Sequence, residues 1–411
     1  MKDPAQAPIE PRLTILPSLR VGRLPNGQIS MTRKFVAGME SYVQRWGGPV
    51  TAVMESGPVG DNLDNEAYDP GALPFRLAVD ADLRTELTQS HVVLASASFD
   101  QVQVARMCRD LNVPCAYVTE YSLRTRLQIV GTNTRNPILR LRRALWEWQT
   151  ERRVRSAIEI SSGVQCNGTP TFEAYKDLTG NPLLFFDTRS SADSLIAAEA
   201  LARRLERLRL GHPLRLVFSG RLIRMKGADH LLAVAHHLAR LNFPFEMTIC
   251  GDGELAAGMR SQIGTLPITM AGNLDFESEL QPLLKESADL FVCCHRQGDP
   301  SCTYLETMAA GLPIVGYDNE AFVGVSAAAG AGWPVPMNRP DLLATKIAEL
   351  SREAIAKASQ ESLAFASLHT FESTFDARIA HLKSLARSVD SDPATVPAPP
   401  RRPDRGLGVR Q

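Results

Sequence analysis

The chain has 411 residues, 44% of them apolar and 22% charged, with 45 basic side chains balanced by 45 acidic ones. At about 150 residues per domain, two or three domains are expected, and a chain this long buries a core without staples. Zero formal charge excludes a dedicated nucleic-acid binder, which would carry a basic excess. The seven cysteines form no C-x-x-C pair, which excludes a zinc ribbon or a thioredoxin-type centre and predicts buried thiols in a reducing compartment.

Residues 1–12, with three prolines, read as a disordered tail, and MKDPAQAPIEPR lacks the apolar stretch of a signal peptide. A strand at 13–16 leads through the turn Leu24-Pro-Asn-Gly-Gln28 to a helix at about 31–46. Strands follow at 50–54, 91–95 and 115–119, with helices at about 100–111 and 137–155. A helix over 191–210, capped by Ser191 and closed by Gly211, ends the first domain, 13–212. The second domain, 213–370, alternates more cleanly. Its strands are expected at 214–218, 245–250, 268–271, 290–294 and 313–316, with helices at 228–242, about 254–264 and 340–356. A last helix at 371–390 is placed to cross back to the first domain, and the proline- and arginine-rich 391–411 reads as a second disordered tail. Such β-α-β repetition predicts an α/β protein of two Rossmann-like, doubly wound domains facing a central cleft.

Gly220-Arg-Leu-Ile-Arg-Met-Lys226-Gly227 follows a strand directly. Glycines there admit a close backbone approach, while Arg221 and Lys226 suit a diphosphate. In Gly298-Asp-Pro-Ser301-Cys302-Thr303-Tyr-Leu-Glu306-Thr-Met-Ala-Ala-Gly311 a polar loop opens a helix whose first amides can hold an anion. Glu306 lies inside that helix, where a pair of ribose hydroxyls would be a sensible partner. Gly251-Asp252-Gly253 follows the intervening strand.

Together these pieces resemble the retaining GT-B glycosyltransferases of family 4, strongly over 214–320 and by layout elsewhere. The resemblance implies that Arg221 and Lys226 hold the donor diphosphate and that Glu306 holds the ribose. It further implies that the amides of Ser301, Cys302 and Thr303 bind phosphate, that Gly251 and Asp252 border the donor, and that Asn273 and Leu274 meet the nucleobase. One departure matters: the family's other glutamate, eight residues before Glu306, is here Gly298. Either Asp299 replaces it from a shifted loop or the sugar contact is lost, and the polar loop favours replacement. In the first domain the resemblance puts Gly27 near the diphosphate, where the family has a glycine pair. It puts Glu120, at the end of the 115–119 strand, beside the donor sugar or acceptor hydroxyl.

The implied activity is metal-independent transfer of a sugar from a nucleotide-diphospho-sugar to a sugar or lipid-linked acceptor, with retention, in cell-surface polysaccharide assembly. No cofactor beyond the donor is expected, and no nucleic-acid partner. A GT-B nucleotide-sugar epimerase and a non-catalytic GT-B scaffold are the rivals. Asp80-Ala-Asp82 precedes a helix and reads as a cap rather than a metal site. Over 135–155, Ile138, Leu141, Leu145 and Trp148 share one helical face among seven arginines. Either that stripe packs into the domain with the arginines outside, or it meets a membrane surface. The location is expected to be cytoplasmic, either free or peripheral at the inner face of the membrane. Charge is unevenly spread: residues 201–226 carry eight basic and one acidic side chain, and 246–320 carry three and twelve.

Overall fold

A computed structural model describes residues 10–60 and 64–390 of the chain. The tails read at 1–9 and 391–411 lie outside the described residues. Residues 11 and 12, assigned above to the first tail, are anchored: Trp46 Nε1 donates to the Pro11 carbonyl at 2.5 Å and Arg12 Nη1 to Gln89 Oε1 at 2.7 Å.

The short β-branched runs pair side by side as two parallel sheets. The first has seven strands in the order Pro182–Phe185, Gly163–Asn167, Cys115–Thr119, Val92–Ser96, Leu13–Leu16, Val50–Met54 and Arg76–Val79. The second has six: Ile268–Gly272, Phe245–Cys250, Leu214–Ser219, Leu290–Cys293, Ile314–Tyr317 and Trp333–Val335. Leu13, Val92, Val93, Leu290, Phe291, Val292 and Cys293 are wholly buried, because helices cover both faces of a parallel sheet. Both strand orders reverse at an inner strand, and the crevice outside the carboxyl ends at that reversal is where ligands bind in such sheets. The architecture is therefore the expected two-domain, doubly wound α/β fold.

Local chemistry sets the helix bounds. Thr32 Oγ1 accepts from Phe35 N at 3.2 Å to start helix Arg33–Trp46, which ends at Gly47 with φ +84°. Asp82 caps Leu83–Thr88 by accepting from Thr85 N at 2.9 Å, and Asp80 accepts from Ser56 N at 2.8 Å, so both carboxylates of the D-x-D have local work. Helix Phe371–Asp390 lies on the first sheet, with Phe375, Ile379, Leu382 and Leu385 in its core.

Three expectations about elements are corrected. The helix read at 191–210 is a short 3-10 turn, Ala192–Ser194, followed by helix Ala198–Arg209. Buried Ile196 interrupts it, because its N–H donates to the Ala309 carbonyl at 3.0 Å, a tertiary bond that fixes extended backbone. The helix read at 340–356 is two, Pro340–Glu349 and Arg352–Leu368, the second capped by Ser351 Oγ accepting from Ala354 N. The turn around Gly27 belongs to a small four-stranded sheet of Ser56–Gly57, Val21–Arg23, Ile29–Thr32 and Asn65–Tyr68, which was missed because its strands are only two to four residues long.

Candidate active site

The donor side is built from loops locked backbone to backbone. Gly227 has φ +66°, and a Cβ there would lie 2.0 Å from the Cys294 carbonyl. Gly251 has φ +126°, and its Cβ would lie 2.0 Å from the Gly220 carbonyl. Only glycine fits either position. The Leu222 amide donates to the Asp252 carbonyl at 2.8 Å, so the 220–227 and 251–253 turns form one rim. Gly251 N donates to the Gly272 carbonyl, which brings the end of strand Ile268–Gly272, and with it exposed Asn273 and half-buried Leu274, to the same rim.

Lys226 is buried and its Nζ donates to Asp299 Oδ2 at 2.8 Å. Arg221 is exposed and forms no ion pair among the described residues. Ser301 is the N-cap of helix Cys302–Ala309, and the Cys302 and Thr303 amides have no acceptor among the described residues. Two free donors at a positive helix end make an anion site. Burial first, and then the Asp187 carboxylate, push the Cys302 thiol well up, so it is no thiolate at neutral pH. His295, packed against the Phe218 and Tyr304 rings, is wholly buried and kept neutral, pushed well down by burial and then by Lys226.

The first sheet delivers a third cation, which the sequence did not reveal. Lys34, at the start of helix Arg33–Trp46, donates to Cys302 Sγ at 3.0 Å and to Asp187 Oδ2. Burial alone would lower Lys34, but the Asp187 carboxylate paired with it holds the ammonium charged. Glu306, almost fully buried, accepts from Arg189 through Nε to Oε1 at 2.7 Å and Nη2 to Oε2 at 3.2 Å. Arg189 lies on the segment joining the two sheets and covers the Phe276 ring with its guanidinium at 3.9 Å. Lys34, Asp187 and Arg189 carry no local motif; only the fold brings them to the helix end.

Glu120 ends strand Cys115–Thr119 and opens to the cleft, with Asn167 Nδ2 donating to its Oε2 at 3.1 Å. Desolvation by the cleft walls, then Asp187, push its carboxyl up to about 6. Tyr121 stands close enough to Asp299, Glu120 and Arg221 to feel their charges, so groups from both sheets converge there. Gly27 does not join them: it sits exposed at a hairpin tip, φ +84°, where its N–H donates to the Leu24 carbonyl at 3.1 Å. Its positive φ is what that turn geometry requires.

Gly298 lies on the seam between the sheets. Its N–H donates to Gln128 Oε1 at 3.0 Å, and Thr125 Oγ1 donates to its carbonyl at 3.1 Å. Glu320 Oε1 accepts from the hydroxyls of Ser122 and Thr125, the latter at 2.7 Å. A Cβ at 298 would stand 2.3 Å from Glu320 Cγ, so the seam as built admits no side chain. The carboxylates beside Gly298 are thus Asp299, held on Lys226, and Glu320, held on the first domain's Leu123–Asn133 helix start.

Behind Glu120 lies a cavity of about 660 Å³ in the first domain, lined mainly by apolar and aromatic side chains, Phe35, Tyr42 and Phe375 among them. No described helix is long and apolar enough to cross a membrane.

Residues 205–363 match the family described as glycosyl transferases group 1. Among solved structures, Anabaena Alr3699/HepE in complex with UDP superposes with a TM-score of 0.60 at 15% identity, covering 91% of this chain and 99% of that one. Sucrose-phosphate synthase from Thermosynechococcus elongatus gives 0.60 at 14%, covering 92% and 99%. A glycosyltransferase from Rickettsia africae gives 0.54 at 12%, covering 93% and 99%. At such identities the likeness is one of fold, and the fold is GT-B. No curated protein matches in sequence.

Proposed function

For a chain that carries a glycosyl transferases group 1 domain over residues 205–363 on a GT-B fold, we propose transfer of a sugar from a nucleotide-diphospho-sugar to an acceptor hydroxyl. The observation that carries this reading is the cationic end of helix Cys302–Ala309. There Lys34, buried Lys226 and two unpaired amides meet, with Arg221 exposed alongside. A scaffold has no use for buried cations at a helix end, whereas a departing diphosphate does.

The donor diphosphate lies across the Cys302 and Thr303 amides, between Arg221 and Lys226. The ribose diol replaces Arg189 on Glu306, and the base lies against the Asn273–Leu274 strand end. As the bond from the anomeric carbon to the phosphate oxygen breaks, its electron pair goes to the diphosphate. Fixed cations stabilise that charge without reorganising, which is their catalytic value. The acceptor hydroxyl attacks the anomeric carbon from the face the diphosphate leaves, and its proton passes to a donor phosphate oxygen, so configuration is retained. Asp299, and Glu120 across the cleft, orient the sugar and acceptor hydroxyls. No metal or cofactor is needed where protein cations balance the phosphate charge. The acceptor is a sugar or lipid-linked sugar of surface polysaccharide assembly, held in the first-domain cavity, with membrane contact through 135–155 at the cytoplasmic face.

The test is a thermal-shift panel of UDP, GDP and ADP sugars, followed by NMR of the product formed with the stabilising donor. Stabilisation by one base series and an anomerically retained glycoside support the reading. Conversion of the donor sugar without an acceptor would instead identify an epimerase, and no stabilisation by any nucleotide would sink the donor site.

A further inference from the structure

Helix Pro137–Glu159 is packed on its outer turns the wrong way round for a globular surface. Thr150, Glu151, Val154, Ala157 and Ile158 bury its second half. The apolar stripe of the first half faces away from the body: Ile138, Leu141, Leu145 and Trp148 are 72%, 61%, 55% and 52% exposed. The stripe therefore does not pack into the domain, and that half of the alternative left by the sequence falls. Four arginines, 135, 140, 142 and 143, and no acidic residue lie within 135–146. A soluble surface rarely leaves so many large apolar side chains contiguous and uncovered.

The helix that carries the stripe also borders the cavity, through Trp146 on another face rather than through the stripe itself. Trp146, on the same turn as Leu145, lines that cavity together with Phe99, and their ring centroids stand 5.4 Å apart. Both are nearly half exposed, so they form its rim. Arg153 lies over the Phe99 ring at 5.4 Å, adding a cation to that rim.

We infer that the first three turns of this helix dock on an anionic lipid bilayer and that the cavity behind Trp146 and Phe99 takes the apolar part of an acceptor drawn from that bilayer. The inference rests on the transferase reading for the word acceptor, while the docking itself does not. Tryptophan and leucine enter the headgroup boundary, arginines keep their guanidinium groups on the phosphates, and the charge makes the attraction selective for anionic lipid. An acceptor with an apolar anchor would then reach Glu120 through an apolar cavity without passing through water.

The experiment is co-sedimentation of the full chain with vesicles of phosphatidylcholine alone and with vesicles enriched in phosphatidylglycerol, for the parent and for Leu141→Ser/Trp148→Ser. Both substituted positions are exposed, so folding is spared, and the melting temperature and nucleotide affinity serve as controls. The inference expects binding to the anionic vesicles only, weakened by salt, and at least about tenfold weaker in the double variant with nucleotide affinity unchanged. Absence of binding, binding equal in the double variant, or a salt-independent dimer that the double variant dissociates would overturn it, the last assigning the stripe to a second copy of the chain. Loss of nucleotide binding in the parent is a separate result, which would sink the transferase reading and leave the vesicle result standing.

Discussion

Arg189 grips Glu306 with two hydrogen bonds, 2.7 and 3.2 Å long, while its guanidinium lies 3.9 Å from the centre of the Phe276 ring. The carboxylate read as the ribose ligand is therefore already satisfied, by a residue on the segment between the two sheets. A nucleotide has to displace it, and a charge-assisted pair of this kind is worth about 1.5–3 kcal/mol at most. Since Arg189 is 41% exposed, solvent screening leaves a smaller part of that. Arg189→Ala should tighten nucleoside diphosphate binding by roughly three- to tenfold in calorimetric titration. Weaker binding in the variant would mean that Arg189 holds the nucleotide instead of guarding its place.

Glu120 predicts a pH dependence of both stability and rate. Its carboxyl is pushed up from the ordinary 4.5 to about 6, so the folded state holds that proton more tightly than the unfolded chain. The stabilising contribution is fully present below about pH 4.5 and is lost as pH rises through 6. Glu120→Gln should raise the melting temperature at pH 7.5, and the gain should vanish near pH 4. As an ionised hydroxyl acceptor, Glu120 should also give kcat/KM an acid limb near pH 6 that the glutamine variant lacks. Equal melting differences at both pH values would show that the carboxyl is not desolvated in the cleft.

Gly298 and Glu320 test the seam. A methyl group at 298 would collide with Glu320 at 2.3 Å, and Glu320 cannot retreat without releasing Ser122 and Thr125. Gly298→Ala should cost about 1–3 kcal/mol in denaturant unfolding, as overpacking does. Paired with Glu320→Ala it should cost less than the two singles added, because the collision is then gone. Additive losses would place the strain elsewhere.

The donor half of this arrangement was legible because its chemistry is contiguous. Gly220 to Gly227 holds three cations and two glycines in eight residues, and Gly227 must be glycine because the Cys294 carbonyl occupies its Cβ position. Lys34, Asp187 and Arg189 were hidden for the opposite reason. Each looks like an ordinary surface charge until helix Arg33–Trp46 and the inter-sheet segment are folded against helix Cys302–Ala309. The turn at Gly27 was ambiguous in sequence because a hairpin tip and a phosphate loop both ask for φ above zero. The stripe at 138–148 was legible as a face, but periodicity does not say whether a face looks inward. Ile196 shows the same limit: good helix formers around it yielded to one tertiary hydrogen bond from its amide.

The central claim is a diphosphate site shared by Arg221, Lys226 and the start of helix Cys302–Ala309. Arg221 is the clean probe, since it is exposed and forms no ion pair among the described residues, so its removal leaves the fold intact. The decisive measurement is calorimetric titration of Arg221→Ala and the parent with whichever of UDP, GDP and ADP stabilises the parent. The account predicts an affinity at least about tenfold lower in the variant with an unchanged melting temperature. Equal affinity in the two proteins would contradict it.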